Sequence, residues 1–448
     1  MVKIFPFEGI LYNTDLKKVN NVFTPPYDVI SPEEQDAYYN LHEFNFVKIA
    51  LSKEFPGDNE YNNKYIRSAA TLEGWLRHKI LLKDKKPAIY VYEQKFTVRG
   101  KNYSRLGFTC LLRLEDMGRG KVFPHEETHS QAKMDRLKLM RATSANIEPI
   151  FSLYSDEKGK VNKVLKKFMG KKPVFDVKDK NKVQHRLWKI DSKPSIEKIV
   201  KEMKDKAAFI ADGHHRYEAA LRFKNELKMN NTKFTEEEEY NHIMMYFTSI
   251  EDKGLAIFPI NRVIHNLAFF NPVEFLKSLE QFFDIEEFKA SKKTVMAVRK
   301  KLAKDLEKAG QTKHAFGLYL GNNHYYLITL KDEKTVDEMV EEEKPKAWKR
   351  LDTTILHYVV FDRILGIARQ IPDKVSYTKS AKSEDQVFEM VDKQGYQIAF
   401  LLNPTKIEEI VAIASKLEKM PQKSTFFYPK LLSGLVLNKI VHGEKIGL

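Results

Sequence analysis

Residues 207–223 read AAFIADGHHRYEAALRF, and no other stretch constrains the fold as tightly. An apolar run from Ala207 to Ala211 ends in Asp212 and Gly213. An apolar-periodic helix opens directly behind them, with Ala219, Ala220 and Phe223 on its anchoring face. A strand that turns into a helix through one glycine belongs to a layered chain, so the expected class is α+β, or mixed α/β. The same corner carries chemistry. A helix N-terminus presents unpaired N–H groups and a partial positive charge. Gly213 lets a ligand approach the backbone closely, and His214, His215 and Arg216 add donors beside it. Together they predict an anion cradle, with phosphate as its guest. Asp212 fits there as a ligand to an intervening Mg²⁺ or as a cap on the helix. The helix is expected to hold by its apolar face rather than by Arg216.

The rest of the chain alternates strand and helix patterns. Tyr65, Ala69, Leu72 and Leu76 predict a helix over 61–80. PAIYVYEQKFTV and LGFTCLLRLE predict paired strands around Gly100. DRLKLMRATSANIEPIFSLY predicts a helix and then a strand, and HRLWKI a strand before a helix near 195–205. NHIMMYFTSIEDKGLAIFPINRVI predicts two strands joined near Gly254. HAFGLYLGNNHYYLITL predicts a hairpin turning at Gly-Asn-Asn. VDEMVEEEKPK reads as a charged connection, and a domain boundary is expected at 265–272.

Composition bounds the function. The 448 residues, 42% of them hydrophobic, can bury the cores of two or three domains. One cysteine, Cys110, excludes an internal disulfide and suits a reducing cytoplasm; it sits in an apolar strand and reads as core rather than nucleophile. The N-terminus does not read as a signal peptide, and no apolar run reaches the ~18 residues of a membrane helix. The net charge of +15 comes mostly from scattered lysines. That is a solvated surface with some attraction for anions, and without dense arginine and interleaved aromatics it favours phosphorylated metabolites over nucleic acid.

Three further stretches hold candidate site residues. FPHEETHSQAKMDRL contains His125-Glu126-x-x-His129, the zinc-peptidase pattern, with Glu148 downstream as a third ligand. Pro124 places His125 in a loop or at a helix start, and Glu127-Thr128 gives no apolar face to bury. The better reading is a loop that offers Glu126 and Glu127 as general base or Mg²⁺ ligand. Tyr27 and Asp28 follow the rigid Pro25-Pro26 as turn or substrate residues. MPQKSTFFYPK gathers Lys423, Ser424, Thr425, Tyr428 and Lys430 in a basic, hydroxyl-rich loop that lacks the glycines of a P-loop.

FTPPYDVIS, PHEETH, DRLKLMRATSANIEPIFSLY, FIADGHHRYEAAL and MPQKSTFFYPKLLSGLV stand in this order. On them the chain resembles the bacterial family of unknown function labelled SpoOJ/ParA/ParB/RepB-like, over nearly its whole length. Asp212-Gly213-His214-His215-Arg216 is similar to the phosphate turn of the ParB/sulfiredoxin superfamily, whose members include CTPases, ATP-using sulfiredoxins and free-serine kinases. The resemblance implies a ParB/sulfiredoxin-like phosphate-binding region over 1–268 and a C-terminal α+β domain over 269–448 that contributes the basic loop. It implies ATP, ADP or CTP with Mg²⁺, and phosphotransfer on serine or phosphoserine. Two departures stand out. Pro259-Ile260-Asn261-Arg262 lacks the family's histidine, leaving Arg262 for phosphate, and His214 replaces the sulfiredoxin cysteine, which argues against sulfinic-acid repair.

Two alternatives compete with a serine- or phosphoserine-type kinase or phosphatase. One is a zinc hydrolase on His125 and His129. The other is a nucleotide-switched, ParB-like DNA-binding regulator, which needs a basic recognition helix. KAWKRLDTTILHYVVFDRILGI is its nearest candidate, and its apolar spacing suits core packing equally well.

Overall fold

The computed structural model describes residues 2–128, 130–340, 343–368, 371–379 and 385–446. The fold is α+β, in two compact units. The first comprises Met1–Pro124, Thr128–Leu255 and Pro429–Leu448; the second comprises His125–Glu127 and Ala256–Tyr428. The boundary therefore lies ahead of the expected 265–272, because the strand Ile260–Ile264 pairs with Val375–Lys379 and Ile398–Leu401. The chain from Pro429 belongs to the first unit: Asn438–Lys439 pairs with Ala145–Asn146, and Ser433 and Leu437 bridge to Thr24 and Ile10.

The first unit is built on a nine-stranded mixed sheet. Its path runs Val122–Phe123, Ala208–Asp212, Ile150–Tyr154, His242–Ser249, Lys101–Arg113, Ile89–Val98, Gln184–Ile190, Phe175–Lys178, and Ile4–Phe5 adds to Lys101–Arg113. His242–Ser249 is buried at every position, as expected of a central strand covered on both faces. Ala208–Asp212 runs antiparallel to Ile150–Tyr154, with a register shift between Ile210 and Asp212. That irregularity leaves Ala211 out of register just before the chain leaves the sheet for the helix, while Asp212 still pairs with Phe151. The helix His214–Met229 then packs Tyr217, Ala219, Ala220 and Phe223 into the core beside Leu137 and Met140 of the helix Ser130–Thr143.

The second unit carries a six-stranded antiparallel sheet in the order Phe283–Lys289, His324–Leu330, Ala315–Tyr319, Ile398–Leu401, Ile260–Ile264, Val375–Lys379. The hairpin 315–330 turns at Gly321, Asn322 and Asn323, all at positive φ. Three local expectations change. The stretch after His242–Ser249 forms two strands, Ala256–Phe258 and Ile260–Ile264, because Pro259 between them has no N–H for a ladder. They join sheets other than that of His242–Ser249. The start of the expected charged connection is helical, Lys334–Met339, around buried Val336. The helix-turn-helix candidate forms two short helices and a π-helix, Leu356–Ile364. It buries Trp348, Ile355, Leu356, Val359, Val360 and Phe361, so its apolar spacing is that of a core element. Among the described residues no helix is long and apolar enough to cross a membrane.

Candidate functional site

Gly213 is the first capping residue of the helix and sits at φ +95°, a conformation open to glycine and strained for most other residues. Asp212 does not cap the helix. One of its oxygens accepts from Lys430 Nζ, and the other accepts from Arg216 Nη2 at 2.9 Å. Lys430 and the corner thus meet across more than two hundred residues of chain. Burial opposes the Asp212 charge, but the Lys430 ammonium and the Arg216 guanidinium override it and hold the carboxyl well below its usual range. Burial likewise pulls Lys430 down, and Asp212 and Asp28 more than offset it, so its pKa is raised.

Arg216 is more deeply set than a surface phosphate clamp, at 9% exposure. Its Nη1 donates to Pro149 O at 2.6 Å and lies 3.8 Å from Glu148 Oε2. Its Nε is buried without an acceptor. A Cβ on Gly213 would stand 3.0 Å from that Nε, so the glycine keeps space beside the orphaned donor. A cavity of about 30 Å³ lined by Arg136, Glu148 and Arg216 has room for a single water and none for a phosphate group. Arg216 also ties the helix to the chain around Pro149, so the apolar face is not its sole anchor. His214 is buried and His215 half-buried in the same turn.

Glu148, proposed from sequence as a third zinc ligand, is instead a hub of this corner. Its Oε1 accepts from Tyr27 N at 3.2 Å and Ser433 Oγ at 2.6 Å. Tyr27 lies in the turn Tyr27–Val29 behind Pro26, and the Arg136 guanidinium stacks 3.6 Å from its ring centre. Burial pushes the Tyr27 hydroxyl up to about 12, so it stays protonated and can donate. Asp28 is exposed and contributes negative potential at both Lys430 and Arg216. Sequence reasoning missed Arg136, Pro149 and Ser433. Only the basic spacing of DRLKLMR could have drawn attention to Arg136; the other two act through a carbonyl and a hydroxyl that carry no local signature.

The remaining candidates belong to the second unit. The segment His125–Glu127 is a loop ahead of the helix at Ser130. His125 is buried, with Nε2 3.1 Å from Thr425 Oγ1. Glu126 bridges to Met420, and its Oε1 accepts from Lys423 N at 3.0 Å; Glu127 is exposed. Lys423 is exposed at φ +58°, and Ser424 is buried with its hydroxyl against Pro421 O and Thr353. The loop is held by its own unit, and Arg262 Nη2 donates to Lys423 O at 3.0 Å. His129 lies outside the described residues. Among the described residues no group of three or more His, Cys, Asp or Glu side chains could hold a metal ion. The carboxylates suggested for Mg²⁺ have other partners: Asp212 has Lys430 and Arg216, and Glu126 has the Lys423 amide.

A strand, a glycine in the left-handed region and a helix, closed by a carboxylate between two cations, define an α+β protein with a charged strand-to-helix corner. The chain belongs to the family described as "Protein of unknown function (DUF1015)", whose model matches residues 4–354. No curated protein matches it. Among solved structures it is similar to a mutant free serine kinase in complex with AMP, at 11% identity and TM-score 0.33, over 68% of this chain and 84% of that one. It is similar to a conserved hypothetical protein from Pyrococcus furiosus, at 13% identity and TM-score 0.30, over 69% and 89%. It is also similar to C-terminally truncated SbnI from Staphylococcus aureus, at 11% identity and TM-score 0.32, over 70% and 82%.

Proposed function

We propose that the chain binds a nucleotide or phosphorylated metabolite at the Gly213 corner and transfers phosphate to or from a small hydroxylated metabolite of the serine or phosphoserine type. The observation that carries this reading is the Arg216 Nε–H, buried without an acceptor beside a helix N-terminus opened by a glycine. A buried unsatisfied donor costs about 1–3 kcal/mol. A phosphate oxygen reaching it would recover that cost and gain the positive end of the helix. Lys430 is the exchangeable cation: an incoming phosphate competes with Asp212 for its ammonium, while Arg216 continues to neutralise Asp212. Mg²⁺ would be supplied with the nucleotide, ATP, ADP or CTP, and would neutralise its phosphates, since Asp212 is already engaged. His214 and His215 complete the ParB/sulfiredoxin-type turn, and Tyr27 and Asp28 of the same unit contact the substrate.

In the transfer, the substrate hydroxyl oxygen bonds the terminal phosphorus and the bond to the leaving nucleotide oxygen breaks. The substrate proton passes to a carboxylate general base. A thermal-shift screen of ATP, ADP, CTP, serine and phosphoserine, each with and without Mg²⁺, tests the reading. A ligand at a hundred times its Kd stabilises by about 2.7 kcal/mol. At least one phosphorylated ligand should raise the melting temperature, and a flat response to all of them contradicts the proposal.

A further inference from the structure

Arg262 lies on the strand Ile260–Ile264 and is 4% exposed. Its Nη1 donates to Ile260 O and its Nη2 to Lys423 O, and the Tyr377 ring centre lies 5.4 Å from Cζ. Both polar partners are neutral carbonyls. Unlike Arg216, it pairs with no carboxylate among the described residues. Burial drags its pKa down to about 10, with only Tyr377 opposing. A buried cation without a counter-ion is costly to keep, and such groups concentrate where a ligand supplies the missing charge.

Arg262 lines a cavity of about 210 Å³ within the second unit, together with His314, Asp352, Asn403, Thr405 and Ser424. Asp352 holds His314 Nδ1 at 2.8 Å; burial pulls the imidazole pKa down, but the carboxylates around it, Asp352 first, outweigh burial and raise it. The wall thus offers a guanidinium, an imidazole paired with a carboxylate, hydroxyls and an amide. Size decides the ligand class. Pockets for drug-sized ligands run about 300–1,000 Å³, so this one takes a small metabolite rather than a nucleotide.

We propose that this cavity binds a small oxyanion bearing hydroxyl groups, either a carboxylate or a phosphate ester, through Arg262. All its residues belong to the second unit, so the site stands whether or not the Gly213 corner binds phosphate. Calorimetric titration of the full chain with glycerate and with glycerol phosphate tests it and separates the two sources. At least one should bind. Arg262→Met should weaken that binding tenfold or more while the melting temperature holds or rises, because the substitution removes an uncompensated charge. Thr312→Trp, at the exposed rim of the cavity, should block it as well. No heat from either probe at millimolar concentration overturns the proposal, as does wild-type affinity in Arg262→Met. Should Arg262→Met not fold, Thr312→Trp decides: lost binding supports the site, and unchanged binding overturns it.

Discussion

Replacing Gly213 with alanine tests whether the glycine exists to make room for Arg216. At φ +95° an alanine pays about 1–2 kcal/mol for the left-handed conformation alone. Its Cβ would also stand 3.0 Å from Arg216 Nε and Nη2, so the guanidinium must move. Moving it loses at least one charged hydrogen bond, to Pro149 O or to Asp212, worth about 1.5–3 kcal/mol. The single substitution should therefore cost about 2.5–5 kcal/mol. In Arg216→Ala the second cost is already spent, so the double variant should fall short of additivity by about 1.5–3 kcal/mol. Cys110 supplies the assay. It is the one cysteine of the chain and is buried on the strand Lys101–Arg113 of the first unit. Pulsed thiol labelling along a urea gradient reads the opening of that unit and no other. Additivity within about 0.5 kcal/mol would refute the argument that the missing Cβ serves Arg216.

Acid should weaken the first unit in two stages. His242, pushed down to about 4 by burial, is neutral when folded, so unfolded chains bind its proton first; stability should fall by about 3 kcal/mol between about pH 6.5 and 4. His242→Phe should remove that slope from the urea midpoint. Burial opposes the charge of Asp135, but Arg136, Lys64 and Tyr65 lower its pKa to about 2. Its contribution, about 2 kcal/mol, is present above the unfolded pKa and should be lost as pH falls from about 4 to 2; Asp135→Asn should flatten that step. Glu126→Gln keeps an acceptor for the Lys423 amide, and Glu127 is exposed, so Gln at either position should leave the melting temperature nearly unchanged. One of the two should slow phosphate transfer about 10²–10⁴-fold in a coupled nucleotide assay, and full activity in both would remove the acid–base role.

The parts of the fold legible in sequence are those specified locally. Gly213 and the apolar run before it marked the corner, and Gly321-Asn322-Asn323 marked its hairpin, because positive φ demands those residue types. Long-range pairing was not legible. Nothing near Glu148 announces that Tyr27 and Ser433 share its oxygen, and nothing near Pro429 says that the chain there belongs with residues 10–154. Arg216 and Arg262 look alike as arginines in basic surroundings. Only the structure separates one locked to a carboxylate from one buried against carbonyls. The π-helix Leu356–Ile364 carries an α-like apolar pattern, so its period was not readable either.

The central claim is that a phosphate oxygen takes the orphaned Nε of Arg216. Its most direct test is calorimetric titration of wild type and Arg216→Lys with the Mg²⁺ nucleotide that the thermal screen selects. Lysine keeps the charge beside Asp212 and loses the forked donors. Wild type should bind, and Arg216→Lys, folded by circular dichroism, should bind at least tenfold more weakly, since a charged hydrogen bond of about 1.5–3 kcal/mol is gone. Equal affinity in the two proteins would contradict the account and leave the Gly213 corner a purely structural bridge.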